Sequence, residues 1–154
     1  MYRLVLAAIA LAATAQNGVA ERSGGVVELI NGYGLPGELK PLQNVTTMLD
    51  TIDADGNRLL VTRGVREAGT RIGIHVHKYG GHTCVLSGAI TDFVEGRQPA
   101  LFEAGSCYYM PPNVPMSAVN LGSEDAVLID TFIVPPGEPF ISILEPGYPG
   151  GPRE

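Results

Sequence analysis

No cluster of lysine or arginine occurs in this sequence. Ten basic residues stand against sixteen acidic ones, a formal net charge of −6. Such a chain has no electrostatic footprint for a phosphate backbone, and no nucleic-acid partner is expected. Charged residues of both signs are few, 17% against 45% hydrophobic, which excludes a disordered chain. Long apolar runs are missing as well. The run Leu4–Ala13 is about half of the roughly 20 residues that a membrane-crossing helix needs. There is no internal repeat and no collagen period. What the chain has in quantity is glycine, 20 residues, and proline, 12. Each in a helix interior costs about 1 or 3 kcal/mol, so a bundle of long helices is excluded. Many short strands joined by tight turns remain, and 154 residues suit one such domain.

Met1-Tyr2-Arg3, the apolar run and Ala13-Thr14-Ala15 follow the order of a secretory signal peptide: a basic start, a short apolar core, small residues at the exit. Residues 1–15 are read as that leader, with cleavage as late as residue 20. The mature chain is expected to be exported, periplasmic or secreted, with no integral membrane segment. Export bears on Cys84 and Cys107, the two cysteines. They pair in an oxidising compartment and stay thiols in the cytosol, and spacing alone leaves both readings open.

Residues 21–44 are punctuated by glycine and proline and read as an extended arm that adds an edge strand. From residue 45 to 144 the β signals are regular. Val45–Ile52 and Arg58–Thr62 flank Asp53-Ala54-Asp55-Gly56-Asn57, which lacks the remaining ligands of a calcium loop and reads as a hairpin turn. Further strands are expected at Arg71–His77, His82–Leu86, Ala89–Val94, Ala100–Phe102, Cys107–Met110, Met116–Asn120 and Val127–Val134. Turns such as Ser87-Gly88 and Glu95-Gly96 separate them. Phe140–Leu144 is expected to dock as a last strand, and 145–154 to be a mobile tail.

All three histidines fall between 75 and 82. Along Arg71-Ile72-Gly73-Ile74-His75-Val76-His77, strand alternation places Ile72, Ile74 and Val76 on one face and Arg71, Gly73, His75 and His77 on the other. Imidazoles two residues apart lie about 7 Å from each other along a strand, a reach from which both can converge on one ion. Patterning by itself turns the Ile/Val face to the core and the histidines to solvent.

At this point the chain resembles the cupin superfamily. That family's first motif runs from a glycine through His-x-His and a glutamate to a second glycine. Here Gly69, His75-Val76-His77 and Gly88 stand at matching positions. In the second motif Gly105 is followed by Pro111-Pro112-Asn113, Met116 and Asn120 with the family's spacing kept. The resemblance covers residues 61–135 and implies an all-β fold, a double-stranded β-helix or jelly-roll barrel, with the histidine face turned inward. The apolar Ile72/Ile74/Val76 face then needs a cover, either the N-terminal arm or a second subunit, and a homodimer is expected.

The family's usual metal ligands are the two histidines, the glutamate and a second-motif histidine. His75 and His77 match. The glutamate position falls on Gly81, with His82 next to it, and the last histidine position is Met116. The resemblance therefore implies a site at His75 and His77, with His82 and Met116 as further candidates. Imidazoles with a thioether favour copper, ahead of iron or zinc. A cupin barrel without metal is the competing outcome. In either case Arg71, Tyr79, Thr83, Tyr108, Tyr109 and Asn120 are candidates to recognise a small-molecule ligand. No nucleophile–base pair is found, since Ser87 and Ser106 lack the expected elbow. In the family fold the strands holding Cys84 and Cys107 are neighbours, which implies a possible disulfide. The function expected is oxidative or isomerising chemistry on a small organic substrate; the alternative is a non-catalytic binding module.

Overall fold

A computed structural model describes residues 25–152, so the leader read at 1–15 lies outside the described residues. Among those described there is no helix, and the chain runs through twelve strands. The first six are β1 (Glu38–Leu39), β2 (Gln43–Ile52), β3 (Arg58–Arg66), β4 (Thr70–Arg71), β5 (His75–Val76) and β6 (Gly81–Ser87). The second six are β7 (Ala89–Val94), β8 (Ala100–Glu103), β9 (Cys107–Met110), β10 (Met116–Val119), β11 (Ala126–Val134) and β12 (Ser142–Ile143). They form two curled sheets, the jelly-roll expected from the sequence. One has the order β2-β3-β11-β6-β9. The other runs β1-β4-β10-β5-β12, with β7 and β8 joined through β10. No helix among the described residues is long and apolar enough to cross a membrane.

Alternation sets what faces the interior. Leu60, Val85, Ile90, Leu128, Phe132 and Val134 are buried in one apolar cluster, each at an inward position of its strand. The hairpin at 53–57 is closed by Asp53, whose Oδ1 accepts the backbone N–H groups of Asp55 (2.9 Å) and Asn57 (2.8 Å), an Asx turn and not an ion site. Ahead of β2, β1 pairs in parallel with β4 at the edge of its sheet.

Two expectations are corrected. The continuous strand Arg71–His77 is broken between β4 and β5, and the break shifts the face by one residue. Arg71 leaves the histidine face and Ile72 takes its place on the cavity wall. Ile74 is fully buried, and its carbonyl accepts from the N–H groups of Leu144 (2.8 Å) and Glu145 (3.1 Å). The apolar stripe that called for a second subunit is therefore covered within the chain.

The described part of the tail expected to be mobile, 145–152, is docked through Glu145 and Tyr148. Glu145 is buried and makes a bidentate pair with Arg71, Nη1–Oε2 2.5 Å and Nη2–Oε1 2.7 Å. The same carboxylate accepts the orphaned N–H of Ile74 at 2.8 Å. Charge is satisfied at both ends, and removing one partner of such a pair costs about 3–5 kcal/mol. Three residues on, Tyr148 packs against Gly73, where a Cβ would sit 2.8 Å from the Tyr148 Cγ. Only glycine leaves room for the ring.

Cys84 and Cys107 stand directly opposite each other on β6 and β9 and are joined by a disulfide. It ties the sheet-edge strand β9 to its one neighbour. The bond closes a loop of sequence separation 23, for which the loop-entropy model gives about 3 kcal/mol. The double variant Cys84→Ser/Cys107→Ser is expected to lose stability of that order in urea unfolding; an unchanged midpoint would refute this.

Candidate functional site

The two sheets enclose a cavity of about 280 Å³. His75 and His77 lie on its wall, both almost completely buried. Their nitrogens are fixed by the backbone. His75 Nδ1 lies 2.8 Å from the Gly73 carbonyl oxygen, and His77 Nδ1 lies 2.6 Å from that of Phe140. A carbonyl oxygen only accepts, so both Nδ1 atoms carry the proton and both Nε2 atoms present a lone pair. Those two Nε2 atoms are 3.1 Å apart. Burial and the neighbouring His77 push the His75 pKa down to about 3, and burial also lowers that of His77. A shared proton is therefore a poor way to reconcile two facing lone pairs.

Two nitrogens each bound about 2.0–2.1 Å from one ion, at roughly a right angle, have this separation. The pair thus fits a metal ion. Met116, in register with His75 across the β5–β10 ladder, is buried and lines the same cavity. His82 does not join them. It is exposed on the outer face of β6, because strand alternation turns Thr83 inward instead. The family's glutamate position is also closed to a side chain. At Gly81 a Cβ would lie 2.8 Å from Phe132 Cδ1 and 2.9 Å from Met110 Cε, so apolar groups fill the space a carboxylate would need. Among the described residues no group of three or more His, Cys, Asp or Glu converges on one point.

Of the ligand-recognition candidates, Thr83 and Tyr108 line the cavity. The others are elsewhere. Arg71 is committed to Glu145. Tyr79 and Tyr109 point to solvent. Asn120 is fully buried, but its amide bridges the carbonyls of Arg66 and Glu124 and accepts from Gly122, which makes it a turn brace.

The cavity also holds three charged residues that the sequence reading missed: Arg66, Asp92 and Asp130. Each sits at an inward position of an alternating strand, Leu60-x-Thr62-x-Gly64-x-Arg66 on β3, Ile90-x-Asp92-x-Val94 on β7 and Leu128-x-Asp130-x-Phe132 on β11. A charge on the apolar face was the available signal. Thr83 donates to Asp130 Oδ1 at 2.5 Å. Asp92 Oδ1 is buried without a partner. Burial lifts the Asp92 pKa to about 7 and raises that of Asp130.

The comparisons with known proteins agree with this architecture. The model of the Cupin domain matches residues 63–134, and many double-stranded β-helix structures are similar. A protein with such a domain from Klebsiella pneumoniae is 22% identical, with 70% of this chain and 90% of that one covered and a TM-score of 0.53. A cupin-like protein from Thermotoga maritima is 20% identical over 66% of this chain and 74% of its own, also at 0.53. Recombinant oxalate oxidase in complex with glycolate is 18% identical over 70% of this chain and 61% of that one, again at 0.53. No curated protein matches. Residues 63–134 are thus a cupin domain.

The raised pKa of Asp92 has a consequence for stability. Between about pH 4 and 7 the folded state holds this proton more firmly than the unfolded chain does. The group's contribution is thus full below the unfolded value of 3.8 and lost as pH rises through about 7. Asp92→Asn, which cannot ionise, is expected to be more stable than wild type at pH 8, on the order of 3 kcal/mol. The two should converge near pH 4. Urea titrations at both pH values check this, and an equal difference at the two would refute it.

Proposed function

We propose that this chain binds a small organic molecule in the barrel cavity, beside a transition-metal ion held by His75 and His77. The observation that carries the reading is the 3.1 Å Nε2–Nε2 separation with both Nδ1 atoms committed to carbonyls. The residues prepare the site without further rearrangement. Gly73 and Phe140 fix the tautomers, Phe132 stacks on the His77 ring at 5.0 Å, and the apolar walls keep bulk water away. When bound, the metal supplies Lewis-acid or redox chemistry. With no carboxylate at position 81 and the Met116 thioether on the wall, the donor set suits copper better than iron or zinc. A set of two imidazoles and one thioether leaves a coordination position free, so oxidative or isomerising turnover of a small substrate is the activity we favour.

Export belongs to the same proposal. It rests on the leader-like residues 1–15, and a disulfide between β6 and β9 suits an oxidising compartment. The homodimer expected from the sequence has lost its original reason. What still favours it is the edge strand β2, which exposes Val45, Met48, Leu49 and Ile52.

Untagged protein is expected to carry about one transition-metal ion per chain by elemental analysis, and His75→Ala/His77→Ala none. Wild-type protein that stays metal-free and fails to take up Cu(I), Zn(II) or Fe(II) would overturn the metal and leave a metal-free binding module. That second reading is favoured by one feature, the apolar filling of the space at Gly81.

A further inference from the structure

Arg66 is the most deeply buried charged residue of the cavity wall, with 1% of its surface exposed. Its described surroundings give it no directly paired counter-charge. Nη1 donates to the Lys40 carbonyl oxygen, and Tyr148 lies against the guanidinium. Among the described residues Nε has no acceptor. Among the described residues its nitrogens make no ion pair. Asp130 shares the cavity and lies within electrostatic reach of Arg66, but neither it nor Asp92 places a carboxylate oxygen on the guanidinium. A guanidinium taken out of water without a counter-charge is strongly unfavourable, and a bound anion is what relieves it. The fork of a guanidinium matches a carboxylate in particular.

The rest of the cavity limits what can carry that carboxylate. Its wall is mostly aliphatic and aromatic, with Ile72, Leu128, Phe132, Phe140 and Ile143 among the lining residues. About 280 Å³ has no space for a long-chain molecule. The Thr83 hydroxyl donates to Asp130, and Tyr108 lies beside both.

We infer that the ligand is a small monocarboxylate with an apolar body, its anionic group paired with Arg66. This deepens the proposed function, since it rests on the cavity being the ligand site, but it does not depend on the metal. The carboxylate pairs with Arg66 and the body lies along the Phe132–Phe140 wall, whose rings are 4.9 Å apart. Arg66 acts as a specificity-determining residue for charge, and it is held in position by Tyr148 from the docked C-terminal segment.

The test uses benzoate and hexanoate against their uncharged amides, benzamide and hexanamide, in calorimetric titrations of the full chain. The titrations are run on chelator-treated wild type and on His75→Ala/His77→Ala. At least one acid is expected to bind about tenfold or more tighter than its amide, in both metal-free forms. Arg66→Lys should keep the preference and Arg66→Met should reduce it to less than about threefold. If Arg66→Met does not fold, the acid–amide comparison on wild type decides alone. Equal binding of acid and amide, or no binding of any of the four, overturns the inference. A preference seen in metal-loaded wild type and lost in both metal-free forms also overturns it, because the carboxylate then binds the metal, while the metal reading survives.

Discussion

Two backbone carbonyls decide what the histidine pair can do. Imidazole is an ambivalent group, donor at one nitrogen and acceptor at the other, and a buried pair could settle its proton in several ways. The oxygens of Gly73 and Phe140 remove that freedom by taking an N–H from each ring. What is left is a pair of lone pairs aimed at the same small volume, in surroundings too dry to protonate either. The donor character of the cavity is thus written in main-chain geometry, and side chains only adjust it.

One of those carbonyls comes from residue 140, and its position depends on how the chain ends. Arg71 and Glu145 form the fastening. Their ion pair draws the last strand against β5, supplies an acceptor to the broken ladder at Ile74, and brings Tyr148 over Gly73 towards Arg66. Buried ion pairs of this kind contribute little net stability over an apolar substitute. What this one contributes is placement: it fixes one wall of the cavity and, through Phe140, one of the two tautomers.

Much of the barrel was legible because strands and turns leave local marks. Alternation located Ala89–Val94 and Cys107–Met110 to the residue, and the glycines and prolines of the two motifs placed their corners. The inward turn of His75 and His77 came from family resemblance, since hydrophobic patterning alone pointed the other way. The misses have separate causes. Arg71 was grouped with the histidines because nothing in Ile72-Gly73-Ile74 announces a break; the break exists because Glu145, more than seventy residues away, satisfies the interrupted ladder. Arg66 escaped notice because β3 was ended at Thr62, four residues early. Asp92 and Asp130 were visible as charges on apolar faces, but a charge there is usually read as a face turned to solvent. His82 was favoured by its place beside the missing glutamate, and simple alternation sends it outward.

The fastening also orders events in time. Sixty-three positions separate His77 from Phe140, and Glu145 and Tyr148 follow later still. During synthesis the histidines emerge long before their wall exists, and until it does their tautomers are unset and the rings are wet. The pocket therefore closes only when the segment 140–148 docks. Whatever the barrel holds is enclosed only once that segment has docked.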